Sequence, residues 1–153
     1  MIGRIYRKIK TTFFKLINWK TFNSTILYEV PRVYFKNKLY LGKHITINNN
    51  VFIHAAGEVY IDDNCVLSAG TTILSTGENL DLWISRSRES DIHINEKVVI
   101  GKNVWLCANT TICPGVQIAD NCVIAAGSVV TQNLDKSCAL YGGVPAKYIR
   151  DLN

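Results

Sequence analysis

The sequence lacks several features that would place it in a familiar class. It has no run of 18 or more apolar residues, so no helix is predicted to span a membrane. The five cysteines form no Cys-x-x-Cys pair, and their spacing relative to the three histidines matches no zinc cluster. We therefore expect small buried thiols in a reducing cytoplasm and no bound metal.

Acidic residues are absent from the first twenty positions, which carry six cations. The cations are Arg4, Arg7, Lys8, Lys10, Lys15 and Lys20. The formal net charge of +5 therefore belongs to this segment, because the rest of the chain is close to neutral. The segment has no compact apolar core followed by a small-residue cleavage site, so we expect no secretion signal.

Residues 1–20 have the period of an amphipathic helix. Their apolar positions recur at steps of three and four: Ile2, Ile5, Tyr6, Ile9, Phe13, Leu16 and Ile17. Two roles fit this pattern. The helix could lie on an anionic membrane surface, or it could cover an open end of the fold with Phe13, Phe14 and Trp19. Nucleic-acid binding is not expected, because no aromatic platform or groove motif accompanies the cations.

Aliphatic residues recur every six positions through most of the chain. The thirteen positions are Leu41, Ile47, Ile53, Ile61, Leu67, Ile73, Ile94, Ile100, Leu106, Ile112, Ile118, Ile124 and Val130. From Ile94 onward, a second uncharged residue stands four places after each aliphatic one. The residue directly after each aliphatic one is mostly small. A period of six suits neither a helix nor a hairpin sheet, but it fits a chain that turns a corner every six residues. The pattern predicts a parallel β-helix.

Two interruptions break this period. A step of eight places two extra residues at a corner near Gly57 and Glu58. Between Ile73 and Ile94 the register is lost, and the polar residues 76–91 must loop out of the coil. Long excursions from a compact scaffold are often functional, so we expect acceptor specificity here. The candidate substrate-binding residues are Glu78, Asn79, Asp81 and Trp83.

The chain thus divides into three parts. Residues 1–40 form a basic leader and lead-in, and residues 41–135 form the coil. Residues 136–153 contain a glycine turn at Gly142 and Gly143, and Pro145 is suited to the first turn of a helix. We predict a short basic helix there.

Three segments resemble the hexapeptide-repeat acyltransferases. They are VIGKNVWLCANTTICPGV at 99–116, IAAGSVVT at 124–131 and GVPAK at 143–147. The similarity is closest to the sugar O-acetyltransferases of maltose, galactoside and surface-polysaccharide type. It implies a left-handed parallel β-helix, acetyl-CoA as donor, and a homotrimer with active sites between neighbouring subunits.

The resemblance also implies six donor-binding residues. They are Trp105, Ala108, Ala126, Thr131, Lys147 and Arg150. The tryptophan would line the substrate pocket, and the two alanines, one full coil apart, would present their backbone to the pantetheine arm. The threonine would lie at the CoA end, where Gln132 replaces the family's lysine. The two basic residues would reach the nucleotide phosphates. Packing for Trp105 and a solvated helix face for the basic pair are the alternatives.

Acetyl transfer to a hydroxyl needs a base and a group that holds the oxyanion. Histidine is the natural base, because its unperturbed pKa is the closest to neutrality. His93 is the first candidate, since it lies where the excursion rejoins the coil. Acids of the same excursion could orient its ring: Glu78, Asp81, Glu89 and Asp91. In the maltose-type enzymes the base lies earlier, near the positions that Glu78 and Asn79 occupy here.

His54 is the rival base. Its segment, FIHAAG at 52–57, is similar to the one that carries the catalytic histidine of serine acetyltransferases. His93 would then resemble a substrate-side histidine of that family. His44 is expected at the surface.

We therefore expect an acetyl-CoA-dependent O-acetyltransferase that modifies a saccharide hydroxyl in surface-polysaccharide biosynthesis. It would be cytoplasmic and could meet the inner membrane face through residues 1–20. A serine acetyltransferase, a sugar N-acetyltransferase and a non-catalytic scaffold remain as alternatives. A γ-class carbonic anhydrase does not fit, because the histidine spacings do not match its three zinc ligands.

Overall fold

The polypeptide winds into a coil with three flat faces. The computed structural model describes residues 2–85 and 92–153, without the side chains at positions 2 and 83–85. The first face stacks β1 Thr25–Leu27, β4 Ile45–Ile47, β7 Val66–Leu67, β12 Trp105–Leu106, β15 Val123–Ile124 and β17 Ala139–Gly143. The second face stacks β2 Arg32–Tyr34, β5 Phe52–His54, β8 Thr72–Leu74, β13 Thr111–Ile112 and β16 Val129–Val130. The third face stacks β3 Leu39–Leu41, β6 Val59–Ile61, β11 Val98–Ile100 and β14 Gln117–Ile118.

Neighbouring strands on each face are parallel, and their registers place axis residues directly above one another. Ile47 is the partner of Leu67, and Leu106 is the partner of both Leu67 and Ile124. The chain steps from the first face to the second and then to the third before it repeats. The predicted left-handed parallel β-helix is confirmed.

The core is a column of inward side chains. All of the thirteen predicted axis residues except Leu41 and Ile94 are buried. The second uncharged position is buried as well, including the polar Thr110 and Ser128. The two hydroxyl groups donate hydrogen bonds to carbonyls three residues earlier, those of Cys107 (2.6 Å) and Ala125 (2.6 Å). A buried hydroxyl is tolerated when it is paired in this way.

Three edges separate the faces. The first edge, between the first and second faces, comprises residues 48–51, 68–71, 107–110 and 125–128. The second edge, between the second and third faces, comprises residues 55–58, 75–85, 92–97, 113–116 and 131–133. The third edge comprises residues 42–44, 62–65, 101–104 and 119–122. Asn64, Asn103 and Asn121 have positive φ at the third edge, a conformation that asparagine adopts more readily than most residues.

The coil begins earlier than residue 41, contrary to prediction. β1 pairs in parallel with β4, and β2 pairs in parallel with β5. Leu27 and Val33 lie six apart and pair with the axis residues Ile47 and Ile53, so the six-residue period already runs through this first turn, although the coil was predicted to begin only at Leu41.

The excursion forms an antiparallel ribbon with a short helix. β9 Thr76–Glu78 pairs with β10 His93–Asn95, and α3 Leu80–Ser85 follows β9. Ile94 was predicted to lie on the axis, but this is wrong: it is half-buried in β10, opposite Gly77. The chain re-enters the coil only at Val98, so the spacing of six between Ile94 and Ile100 spans the end of the ribbon.

The C-terminal segment is a strand, and the predicted short helix is wrong. β18 Ala146–Asp151 pairs antiparallel with β17 after a turn that contains a cis Val144–Pro145 peptide. β17 joins the coil through β15 on one side only, so its other side offers unpaired backbone groups to β18. This long-range pairing decides the conformation, and Tyr148 and Ile149 also favour a strand.

The predicted N-terminal helix is present. α1 Ile2–Ile17 is followed by α2 Trp19–Phe22. Phe22 is fully buried at the end of the coil, and the ring of Phe14 packs edge-on against it at 4.9 Å between centroids. Phe13 and Trp19, which were expected to cover the coil with Phe14, are exposed instead. Among the described helices, none has both the length and the apolar character needed to cross a membrane.

Candidate active site

The ribbon at the second edge joins a histidine to a carboxylate. His93 and Glu78 are direct cross-strand partners in β10 and β9, so their side chains lie on the same face of the ribbon. The Nδ1 atom of His93 lies 2.9 Å from Oε1 of Glu78. The His93 side chain is 63% exposed, which leaves the ring accessible at the coil surface. Of the predicted orienting acids, the structure thus brings Glu78 to the ring.

The remaining substrate candidates have different surroundings. The side-chain oxygen of Asn79 accepts hydrogen bonds from the backbone N–H groups of Asp81 (3.0 Å) and Leu82 (3.3 Å), so it caps the start of α3. Asp81 is exposed on the first turn of that helix. The side chain of Trp83, and the acids Glu89 and Asp91, lie outside the described residues.

The other two histidines occupy edges of the coil. His54 ends β5, and its ring packs among Tyr34, Phe35 and Phe52 at centroid distances of 5.7, 5.3 and 6.5 Å. Its Nδ1 atom is enclosed and has no hydrogen-bond partner among the described residues. His44 is exposed at the third edge with a φ of 57°.

Gly57 sets the position of the ribbon. Its N–H donates to the hydroxyl of Ser75 at 2.9 Å, where the excursion leaves the coil. A Cβ at this position would lie 2.3 Å from the carbonyl oxygen of Ser75 and 2.5 Å from the nitrogen of Glu96, where the excursion returns. The two-residue insertion seen in the sequence therefore makes room for both ends of the ribbon.

Three predicted donor residues lie together on or beside the first edge. The indole N–H of Trp105 donates to the hydroxyl of Ser68 at 2.9 Å, which fixes the half-exposed ring beside this edge. The carbonyl of Ala108 accepts a hydrogen bond from the N–H of Gly127 at 2.9 Å, so the corners that carry Ala108 and Ala126 are stacked in adjacent coils. Small side chains here leave the backbone accessible from outside.

The terminal hairpin continues this edge. Gly143 donates its N–H to the hydroxyl of Ser128 at 3.1 Å, and its neighbour Gly142 pairs with Lys147. Lys147 is therefore exposed at the same end of the first edge, although it lies on a strand and not on the predicted helix. Arg150 lies further along β18, opposite Leu140, and its guanidinium donates to the Asp151 carbonyl at 2.9 Å. Thr131 is exposed at the second edge.

Cys65 and Cys122 are buried, Cys107 and Cys113 are half-buried, and Cys138 is exposed. Burial raises the pKa of the Cys65 thiol to about 11, and burial also raises the pKa of the thiols of Cys107, Cys113 and Cys122. Their reactivity is correspondingly low. Within residues 2–85 and 92–153, no group of three or more metal-binding side chains comes together.

A groove of about 720 Å³ crosses the third face. Its lining includes the stacked rings of Tyr40 and Tyr60, 4.4 Å apart, with Lys97 and Gln117. None of the predicted catalytic or donor residues lines it.

Comparison with known proteins agrees with this architecture. Residues 97–132 match the family model described as bacterial transferase hexapeptide (six repeats). Over 125 residues the chain is 33% identical to galactoside O-acetyltransferase of Escherichia coli, which covers 80% of this chain and 60% of that protein. The chain belongs to the hexapeptide-repeat acyltransferase family. It spans about 60% or less of the length of the first curated relatives it matches.

Two further family members extend the comparison. An Escherichia coli protein, WcaF, assigned as a colanic acid biosynthesis acetyltransferase, is 27% identical over 90% of this chain and 71% of its own. A hexapeptide-repeat acetyltransferase of Vibrio cholerae, solved in complex with acetyl-CoA, superposes with a TM-score of 0.74 at 28% identity. That match covers 85% of this chain and 72% of the Vibrio chain.

Sequence reasoning missed one feature of this site and narrowed another only to a set of four acids. The hydrogen bond of Trp105 to Ser68 joins residues 37 apart, and it follows from their positions one coil apart on the first face and edge. The pairing of Glu78 with His93 depends on the register of a ribbon that the six-residue period does not describe. The alternation of apolar and polar residues in the segment IHIN at 92–95 could have indicated the second strand of the ribbon.

Proposed function

We propose that the chain is an acetyl-CoA-dependent O-acetyltransferase that modifies a saccharide hydroxyl in surface-polysaccharide biosynthesis. The observation that carries this proposal is the His93–Glu78 pair at 2.9 Å on an exposed ribbon. An exposed coil that served only as a scaffold has no need for a carboxylate-oriented imidazole. The relatives named for galactoside O-acetylation and colanic acid biosynthesis support a sugar acceptor. The supply of acetyl-CoA favours the cytoplasm as the site of action.

The pair supplies a general base in a defined tautomer. When Oε1 of Glu78 accepts the Nδ1–H of His93, the lone pair of the neutral ring is at Nε2. Nε2 takes the proton of the acceptor hydroxyl while its oxygen attacks the thioester carbonyl. The new C–O bond forms as the C–S bond breaks, and the imidazolium returns the proton to the departing CoA thiolate. A backbone N–H would hold the oxyanion.

His93 suits this role better than His54. The carboxylate of Glu78 accepts a hydrogen bond from Nδ1 of His93 and holds the ring in one orientation. His54 has an enclosed Nδ1 without a hydrogen-bond partner among the described residues, and three aromatic rings surround it. In the maltose-type enzymes the base lies near the position of Glu78. His93 is close to that position in space, because β10 places it directly across the ribbon from Glu78.

The donor would lie along the first edge. Pantetheine is a long, narrow chain, and the stacked corners of Ala108 and Ala126 form a straight rail of small residues. Trp105 would flank this rail, and Lys147 at its end would meet a phosphate. Thr131 and Arg150 do not lie beside the rail of their own chain. They would contact a donor that is bound to the rail of a neighbouring subunit.

The two halves of this site are on opposite sides of the second face. The base is on the second edge, whereas the donor rail is on the first edge. A complete site therefore requires the first edge of one copy to meet the second edge of another. Three copies related by rotation close such a head-to-tail contact, and we propose the homotrimer on this ground.

The test is release of CoA from acetyl-CoA across a panel of sugars, nucleotide sugars and serine. We expect turnover with a saccharide and a product whose acetyl group is removed by alkaline hydroxylamine, as that of an oxygen ester is. A hydroxylamine-stable product from an amino sugar would indicate N-acetylation. Turnover with serine alone would favour the serine acetyltransferase alternative, and no turnover with any acceptor would favour a scaffold.

A further inference from the structure

The N-terminal helix carries its apolar stripe on the side that faces solvent. The stripe consists of Ile5, Tyr6, Ile9, Phe13, Leu16 and Ile17, each between 54% and 66% exposed. A helix that merely covers the coil would turn such a stripe inward, because burying it removes apolar surface from water. Here the stripe has no partner among the described residues that buries it.

The opposite side of α1 holds the coil. Thr11 is buried, Phe14 packs on Phe22, and the ammonium group of Lys15 donates to the Thr25 carbonyl at 2.7 Å. At about 100° per residue, positions 11, 14, 15 and 18 share one side of a helix, and positions 5, 9, 13 and 16 share the other. The helix is thus anchored through the side opposite the stripe. The apolar stripe therefore remains available to contact a lipid layer or another protein.

The charges around the stripe favour an anionic lipid surface over a protein partner. The six cations at positions 4–20 are accompanied by no acid. Residues 3–10 are all exposed, and Lys8 and Lys10 lie about 100° to either side of the centre of the stripe. Ammonium groups on both flanks of an apolar stripe match a layer of anionic headgroups above acyl chains. A protein partner would need an acidic rim around an apolar groove, a far more particular surface.

We propose that α1 lies in the headgroup plane of an anionic bilayer, with Ile5, Ile9, Phe13 and Leu16 among the acyl chains. Because the coil is on the other side of the helix, its β1 end would face the membrane. The ribbon with His93 would then stand above the surface, near lipid-linked acceptors. The inference does not depend on the proposed acetyl transfer, because no residue of α1 belongs to either edge of the site.

Sedimentation with vesicles tests this on the full chain. We compare vesicles of phosphatidylcholine alone with vesicles of phosphatidylcholine and phosphatidylglycerol in equal parts. The protein should sediment with the anionic vesicles only, and added salt should weaken the binding. Equal binding to both compositions, or to neither, would overturn the proposal.

Two pairs of variants locate the contact. The charge reversal Lys8→Glu with Lys10→Glu should weaken binding by at least about 25-fold, since each surface lysine contributes roughly fivefold. Lys43→Glu with Lys102→Glu, at exposed corners, changes the net charge equally and should leave binding within about twofold. Phe13→Glu should also abolish binding, whereas Val144→Glu, at a similarly exposed apolar residue, should not.

A helix content measured by circular dichroism that matches the parent chain confirms that each variant has kept α1. If Phe13→Glu instead reduces the size of the particle in sedimentation velocity and vesicle binding is absent throughout, the stripe is a contact between copies of the chain. That result would contradict the membrane proposal.

Discussion

The first and second edges of the coil are both built from corners of the six-residue repeat, but the first is regular and the second is interrupted. The first edge repeats its corner without insertion, with a hydroxyl of Thr71, Thr110 or Ser128 donating to a carbonyl three residues earlier in successive coils. The second edge has an insertion at Gly57 and the whole ribbon between Ser75 and Glu96. Regular repetition gives a straight surface suited to an extended ligand. The ribbon that interrupts the second edge brings together Glu78 and His93, which the regular repeat would not.

This difference follows from what each corner must satisfy. A repeating corner hydrogen-bonds to the corner of the next coil through N–H groups such as those of Gly70, Asn109 and Gly127, and this pairing fixes its geometry. In the described residues, β9 and β10 pair with each other, and the ribbon hydrogen-bonds to the coil at its root, where the N–H of Ser75 donates to the carbonyl of His54, so its side chains do not have to follow the repeat. We therefore expect the catalytic side chains on the second edge, where the period fails, and the donor along the regular first edge.

The strongest prediction removes the base from the second edge. His93→Ala should lower kcat by about 10³-fold, because positioned general-base catalysis contributes roughly 10² to 10⁴. CoA binding, measured by calorimetry, should be unchanged, since the donor rail is on the first edge. His54→Ala is the matched control and should retain turnover. The reverse result would move the catalytic role to His54.

The next prediction weakens the base without removing it. Glu78→Gln should reduce kcat by about 10- to 100-fold, the usual cost when the partner that orients a histidine is changed. The amide keeps the shape but is a weaker acceptor for the Nδ1–H, so the ring is held less firmly; the loss should fall on kcat and leave the KM for acetyl-CoA unchanged. Glu96→Gln, an exposed carboxylate of the same excursion, should have little effect. Equal losses in both variants would mean that Glu78 acts only on the fold.

The root of the ribbon gives a third, smaller effect. Gly57→Ala should lower the free energy of unfolding by about 1 to 3 kcal/mol, because the new Cβ would press on Ser75 and Glu96. It should also reduce kcat, since His93 moves with the ribbon. Gly3→Ala, where a Cβ meets nothing within 4 Å, should be neutral or slightly stabilising. Thermal unfolding and kinetics of both variants measure the difference.

The third edge carries none of the proposed catalytic or donor-binding residues, so the prediction for it concerns stability alone. The Cys65 pKa of about 11 in the folded chain exceeds the ordinary value of 9.0, so the native state keeps its proton where the unfolded state loses it. The free energy of unfolding should therefore fall between pH 9 and about pH 11, by up to about 3 kcal/mol from this group. Cys65→Ala should remove that part of the pH dependence in urea titrations, and Cys138→Ala, at an exposed thiol, should keep it.

The coil itself could be predicted from the sequence because a period of six constrains every turn in the same way. The inward columns from Ile47 to Val130 followed from it, apart from Ile94. The strand at Ala146–Asp151 could not be predicted, because its partner β17 is recruited by the last coil and local turn signals do not reveal an open strand edge. The partnership of His93 with Glu78 was likewise set by cross-strand register.

The central claim is that one copy supplies the base and its neighbour supplies the donor rail. Co-expression of two inactive chains, His93→Ala and Ala126→Trp, tests it most directly, because Ala126 is exposed on the first edge and a bulky ring there would block the rail. Random assembly in equal amounts should restore about one quarter of the parent activity, since that fraction of contacts joins two intact edges. Mixed assemblies as inactive as either variant alone would contradict the claim.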